Sequence, residues 1–266
     1  MNHIKIRGNT FAYQDLHSHR AETILLVHGH PFNHSLWKDQ MDVLGSYRLL
    51  IPDLKGYGQS DYQFDKIFIE EQALDLALML DALNIEQVHL VGLSMGGQII
   101  VEFQRLFPAR AQSMVICAST PHAETPESYQ KRLALAAEIE QIGMRAYTEQ
   151  DIHSYMNLDR LGTDSEAYLR LFQMMAETPT QGAIASHKGR AERRDNFGHL
   201  KHIHIPSLVI AGENDFFFDV EDVQKVAEEI PHAEFHIIPE TGHLPNMEKP
   251  EEFNHILQRF YQRVIG

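Results

Sequence analysis

The segment Gly92-Leu93-Ser94-Met95-Gly96-Gly97 follows the apolar run Val88–Val91 and precedes Gln98–Phe103, which has helical spacing. A serine between glycines on a strand-to-helix turn is a nucleophile elbow. Such a turn puts Ser94 Oγ at a helix N-terminus, where free N–H groups and the helix dipole favour negative charge. Gly92 and Gly96 are required because a Cβ at either position would meet the neighbouring strand or helix. A serine hydroxyl needs a base, and the base needs an orienting acid. Two later apolar runs end in such residues. Ser207–Ala211 leads into Gly212-Glu213-Asn214-Asp215, and Glu234–Ile238 leads into Pro239-Glu240-Thr241-Gly242-His243. The chain order nucleophile, acid, histidine assigns Asp215 as acid and His243 as base. Glu213 and Asp219 are rivals for the acid: Glu213 lies nearer the strand end, and Asp219 reads as the cap of the next helix. The chemistry implied is acyl transfer through a covalent serine intermediate, with His243 carrying the proton.

A tetrahedral intermediate needs two backbone donors for its negative oxygen. The N–H after the nucleophile, on Met95, is expected to be one. The loop His28-Gly29-His30-Pro31 follows another apolar run, and the His30 N–H is expected to be the second. His28 is read as shaping that loop. His28, His30 and His34 could share one face, but no Asp-His pair follows that would complete a two-metal site. Neither a metal nor any other cofactor is expected. Asp53-Leu54-Lys55-Gly56-Tyr57-Gly58-Gln59-Ser60 is rich in glycine but lacks a phosphate-loop Lys-Ser/Thr pair, so it reads as a shaped turn. Trp37 is expected to anchor the preceding loop to the core.

These residues require a frame. Thr23–Val27, Tyr47–Pro52, Val88–Val91, Ser113–Ala118, Ser207–Ala211 and Glu234–Ile238 are short apolar runs. They alternate with helical patterns at about 34–45, 66–83, 96–107, 219–230 and 249–264. That alternation predicts an α/β fold with a mostly parallel sheet covered on both faces. Residues 1–14 read as a strand pair around Gly8-Asn9. The pattern changes between about 120 and 200, where only helical periodicity appears, at about 127–142, 145–156, 164–177 and 180–193. An all-helical insertion is predicted there, so 1–119 and 201–266 form the core and 120–200 a separate helical unit. Leu135, Tyr155, Met156, Leu171, Phe172, Met174 and Met175 could line its inner face. Insertions at strand ends tend to roof a pocket, so Pro31, Met174 and Phe172 are expected to touch substrate.

Composition narrows the function classes. The 266 residues are 43% hydrophobic and 23% charged, enough for a large core and too apolar for disorder. A net charge of −14 argues against nucleic-acid or anionic-membrane partners. The single cysteine, Cys117, lies in an apolar run and reads as a buried structural thiol. The first residues lack the apolar core of a signal peptide, and no stretch approaches the length of a membrane span. The chain therefore reads as cytoplasmic, a monomer or a homodimer.

The quoted motifs occur in the order His28-Gly29-His30-Pro31, Asp53-x-x-Gly56-x-Gly58-x-Ser60, Gly92-Leu93-Ser94-Met95-Gly96-Gly97, Gly212-x-x-Asp215 and Gly242-His243. Together they resemble the α/β-hydrolase superfamily over essentially the whole chain. Within it, the chain is similar to small capped carboxylesterases and 3-oxoadipate enol-lactonase-like enzymes. The resemblance implies the α/β-hydrolase fold with residues 120–200 as a helical cap. It also implies hydrolysis of a small ester or lactone. Lys55 stands where the family usually has arginine. The cap is read as offering few fixed basic residues for a dicarboxylate, and its methionines and aromatics point to an apolar acyl or alcohol group. Two alternatives stay open: a C–C bond hydrolase of a vinylogous diketone, and a slow-turnover ligand sensor using the same pocket. Perhydrolysis as a side activity is a further expectation, from Pro31.

Overall fold

A computed structural model describes residues 1–265. Its centre is an eight-stranded sheet: β1 (Asn2–Ile6), β2 (Asn9–Leu16), β3 (Thr23–Val27), β4 (Arg48–Pro52), β5 (Val88–Leu93), β6 (Ala111–Cys117), β7 (Ser207–Gly212) and β8 (Glu234–Ile238). The strand order is β1-β2-β4-β3-β5-β6-β7-β8. β2 pairs antiparallel with β1 and β4, and all other pairs are parallel. Every apolar run expected to be a strand is one. Along β3, Ile24 and Leu26 enter one core cluster while Leu25 and Val27 enter another. This follows from the period-two alternation of a strand buried on both faces.

Short helix α1 (Lys38–Met41) follows a 3₁₀ turn at His34–Trp37, where a helix over about 34–45 was expected. The Asn33 side chain accepts from the Ser35 N–H and fixes that tighter turn. Trp37 beside it is completely buried. Helices α2 (Ile69–Ala82) and α3 (Met95–Leu106) cover the face that holds Leu25 and Val27.

Between β6 and β7 the chain is helical, with α4 (Pro126–Asp151), α5 (Leu158–Leu161), α6 (Glu166–Ala176) and α7 (Thr180–Ala191). Gly143 interrupts α4 with non-helical dihedrals (φ 74°, ψ 164°), at the break between two predicted helices. Helix α4 packs on α6 and α7. Helix α7 also lies backbone against backbone on the loop after β4. A Cβ on Gly182 would run into the Gly56 backbone, and one on Gly189 into the Ile67 backbone. The Ile67 N–H donates to the Ala185 carbonyl at 3.0 Å.

Helix α8 (Val220–Glu229) joins the α2–α3 side through Val223 and Val226. Helix α9 (Pro245–Glu248) was not expected. Helix α10 (Pro250–Val264) buries Phe253, Leu257, Phe260 and Tyr261 on the opposite face. No helix among the described residues is long and apolar enough to cross a membrane.

Candidate active site

β5 ends at Leu93 and α3 begins at Met95, so Ser94 is the whole of the turn. Its backbone sits at φ 55°, ψ −119°, a conformation that L-residues rarely adopt. The close approach that forces this is visible in the glycines. A Cβ on Gly92 would collide with the Gly96 backbone, and one on Gly96 with the Val27 carbonyl. The strained residue is held by its neighbours: Ser94 N–H donates to the Cys117 carbonyl at 2.9 Å, and Ser119 Oγ donates to the Ser94 carbonyl at 2.7 Å. The N–H groups of Met95 and His30 have no hydrogen-bond partner among the described residues. Both are free to donate to a ligand.

His243 lies in the loop after β8, and its Nδ1 is 2.8 Å from Asp215 Oδ2. Both side chains are almost fully buried. The other Asp215 oxygen, Oδ1, accepts from the Phe217 N–H at 2.8 Å. The rivals are engaged elsewhere. Glu213 Oε2 accepts from the Glu240 N–H, and Asp219 precedes α8. Phe217, Tyr155 and Phe218 surround the His243 ring, with centroids at 4.8, 6.0 and 5.9 Å. Ser94 Oγ makes no hydrogen bond to His243 in this structure.

Glu248, on α9, escaped the sequence reading. Its Oε2 accepts from the Gly242 and Asn157 N–H groups at 3.0 and 2.9 Å, and its Oε1 accepts from the Leu244 N–H at 3.1 Å. One buried carboxylate thus ties both neighbours of His243 to the segment between α4 and α5. The signal available was an acidic residue in the first turn after Pro245.

His28 shapes its loop as expected: Nδ1 bonds the Gly29 carbonyl at 2.7 Å and Nε2 accepts from the Leu54 N–H at 3.0 Å. That pairing needs a neutral ring. Asp53, Ser60 and the backbone around them bond one another, so the glycine-rich loop is a shaped turn. Lys55 places its Nζ 2.7 Å from the buried Asp75 carboxylate. Among the described residues no three histidine, cysteine, aspartate or glutamate side chains are grouped to hold a metal ion.

Ser94, His30 and His243 open on one cavity of about 270 Å³. Leu135, Tyr147, Tyr155, Phe217 and Phe218 give it apolar surface. The three residues expected at the substrate are not on this wall. Pro31 is buried with its carbonyl bonded to Thr178 Oγ1, Met174 packs in the core, and Phe172 packs beside Tyr168 beneath Arg145. The apolar expectation also needs correction, because Lys131, Arg132, Arg190 and Arg193 line the cavity and Glu124 is its one carboxylate. Periodicity places residues on a helix face but does not say which faces meet. Arg132 on α4 and Arg190 on α7 meet only because those helices pack together.

Burial pushes the imidazoles of His28, His30 and His187 down, His28 to about 4. Below about pH 6.5 the unfolded chain protonates these rings and the folded chain does not. Stability is therefore full above pH 6.5 and falls as pH drops toward 4. His28 alone contributes a slope of about 1.4 kcal/mol per pH unit, and the three together about three times that. Urea midpoints measured from pH 7.5 to 4.5 check this. A flat profile would show that the rings take up protons inside the fold.

A model described as the alpha/beta hydrolase family matches residues 24–256. The chain is similar to 3-oxoadipate enol-lactonase 1 of Acinetobacter baylyi, with 28% identity over 260 residues, covering 97% of this chain and 95% of that one. It is similar to the 2-hydroxy-6-oxononadienedioate/2-hydroxy-6-oxononatrienedioate hydrolase of Paraburkholderia phymatum, with 28% identity over 255 residues, covering 90% and 86%. Among solved structures, the malate-bound thermophilic esterase from Thermogutta terrifontis superimposes with a TM-score of 0.93 at 29% identity, covering 99% of each chain.

Proposed function

Since the chain belongs to the α/β-hydrolase family, we propose that it hydrolyses carboxylic esters or lactones through a Ser94 acyl-enzyme. The observation that carries this reading is the 2.8 Å contact of His243 Nδ1 with Asp215, in a cavity that also holds Ser94 on its strained turn. His243 Nε2 takes the Ser94 proton during attack and returns it to the leaving alcohol. Asp215 holds the imidazole in the required tautomer and stabilises the imidazolium. The unpartnered His30 and Met95 N–H groups receive the negative oxygen of the tetrahedral intermediate. Water then enters by the same base catalysis and releases the acid. Residues 120–200 act as a cap, supplying Arg132, Tyr147, Tyr155 and Arg190 to the cavity wall. The aromatic collar around His243 keeps bulk water from the reacting atoms. The names of the similar enol-lactonase and esterase support this reading.

The likeness to the Paraburkholderia hydrolase favours a second reading, C–C bond cleavage of a vinylogous diketone by the same residues. A time course of p-nitrophenyl ester and γ-lactone hydrolysis, run beside a vinylogous diketone, separates the two. Many turnovers per chain on the esters or lactone support the first reading. Turnover of the diketone alone supports the second. No turnover beyond one equivalent on any substrate overturns both.

A further inference from the structure

His243 is one residue of a loop, and its ring is aimed by the peptide groups on either side of it. Glu248 holds both. Its Oε2 accepts from the Gly242 N–H at 3.0 Å and its Oε1 from the Leu244 N–H at 3.1 Å. Bonding the N–H groups before and after His243 to one planar carboxylate restrains both peptide planes. It thereby sets the direction in which the His243 side chain leaves the backbone. The carboxylate is itself anchored, because Oε2 also accepts from the Asn157 N–H at 2.9 Å. Asn157 reaches the same loop a second time, where its Nδ2 donates to the Glu240 carbonyl at 3.1 Å. Gly242 is caught in this grip: a Cβ there would stand 3.2 Å from the Asn157 nitrogen and 3.3 Å from Glu248 Oε1.

Glu248 is 4% exposed, and burial pushes its carboxyl up, so an acid is costly to keep here. A glutamate that only closed the first turn of α9 would need the Leu244 bond alone. The other two bonds leave the helix, one for the residue before His243 and one for the segment between α4 and α5. Asp215 meets only the ring, at Nδ1. Glu248 meets the backbone that carries the ring. Resting on the hydrolytic reading above, we infer that Glu248 is a positioning residue for the base. It holds the chain on both sides of His243, which keeps Nδ1 on Asp215 and leaves Nε2 for the Ser94 proton. Glu248 is not part of the cavity wall, so it acts only through His243.

Glu248→Gln keeps the shape of the side chain but turns an NH₂ group toward at least one of the three N–H groups. It should lower kcat on p-nitrophenyl esters about ten- to hundredfold, the effect of a small misplacement of the base, and leave KM within about twofold. Glu248→Asp keeps two acceptor oxygens on a shorter stem and should restore part of kcat. A loss carried by KM alone would mark a brace of the cavity and overturn the proposal, as would a kcat within about twofold of the wild type. The second readout needs no turnover. The proton of an imidazole Nδ1 bonded to a carboxylate resonates far downfield in proton NMR, and the His243 signal is assigned by its absence from Asp215→Asn. It should move or vanish in Glu248→Gln at a temperature where circular dichroism shows the variant folded. An unmoved signal overturns the proposal, and ester turnover by the wild type then leaves the hydrolase standing. If the wild type cleaves no ester, the hydrolytic reading falls, and a moved signal still supports the positioning of the ring. If Glu248→Gln does not fold, Glu248→Asp decides. A lowered kcat with a moved signal supports the proposal, and wild-type kcat with an unmoved signal overturns it.

Discussion

Ser94→Ala is expected to lower kcat on p-nitrophenyl esters by about 10⁴-fold or more while leaving the protein as stable as the wild type. In the proposed mechanism the activity loss follows from removal of the atom that forms the acyl intermediate. Rate above the uncatalysed reaction then comes only from the two backbone donors and from binding. The unchanged stability follows from a separate observation. The Ser94 hydroxyl bonds neither His243 nor any other described group, so its removal leaves no buried partner unsatisfied. The strained backbone is set by the glycine contacts around it and persists with alanine. Rapid-quench kinetics and a melting curve on the same preparation check both halves. A variant that is active, or one that is inactive because it is unfolded, would contradict the account.

The second large effect is expected for Asp215→Asn, with kcat reduced about 10⁴-fold and the fold intact. An asparagine fits the same space and can still accept from the Phe217 N–H at one oxygen. Its amide nitrogen then faces His243 Nδ1 and donates to it. The ring proton moves to Nε2, the atom that accepts the serine proton in the proposed mechanism, and the base is disabled. Glu213→Gln is the control. Glu213 is exposed and its carboxylate accepts only a backbone N–H of Glu240, so kcat should stay within about twofold. The reverse pattern, with Glu213→Gln inactive and Asp215→Asn active, would transfer the role of acid to Glu213. Measuring kcat against pH in both variants distinguishes a lost base from a displaced loop.

The sheet was legible because strands buried on both faces must be apolar at every position, so each appears as an uninterrupted run. The placing of Ser94, Asp215 and His243 near one another was legible for a related reason. Each follows the end of such a run, and the runs mark one edge of the sheet. The break at Gly143 was visible because glycine alone tolerates its positive φ without strain. The wall of the cavity was not legible. Met174 and Phe172 have the spacing of an inward face, but the face they share turns toward the core and toward Arg145. Arg132, His187 and Arg190 look like ordinary helix surface in one dimension. Their meeting depends on how α4 leans on α7, which no periodicity encodes. Phe217 and Phe218 escaped because apolar residues after a strand end read as its continuation, whereas here they leave the sheet and turn over the histidine.

The glycine seat of α7 fixes where one wall of the cavity stands. Gly182 and Gly189 press that helix onto the loop after β4, and β4 is bonded to β3, the strand that leads into His30. The α7 wall of the cavity and the loop that carries His30 are therefore braced on neighbouring strands of one sheet. A side chain at Gly182 or Gly189 should thus displace the wall formed by His187 and Arg190, and would be felt inside the cavity as well as at the seat itself.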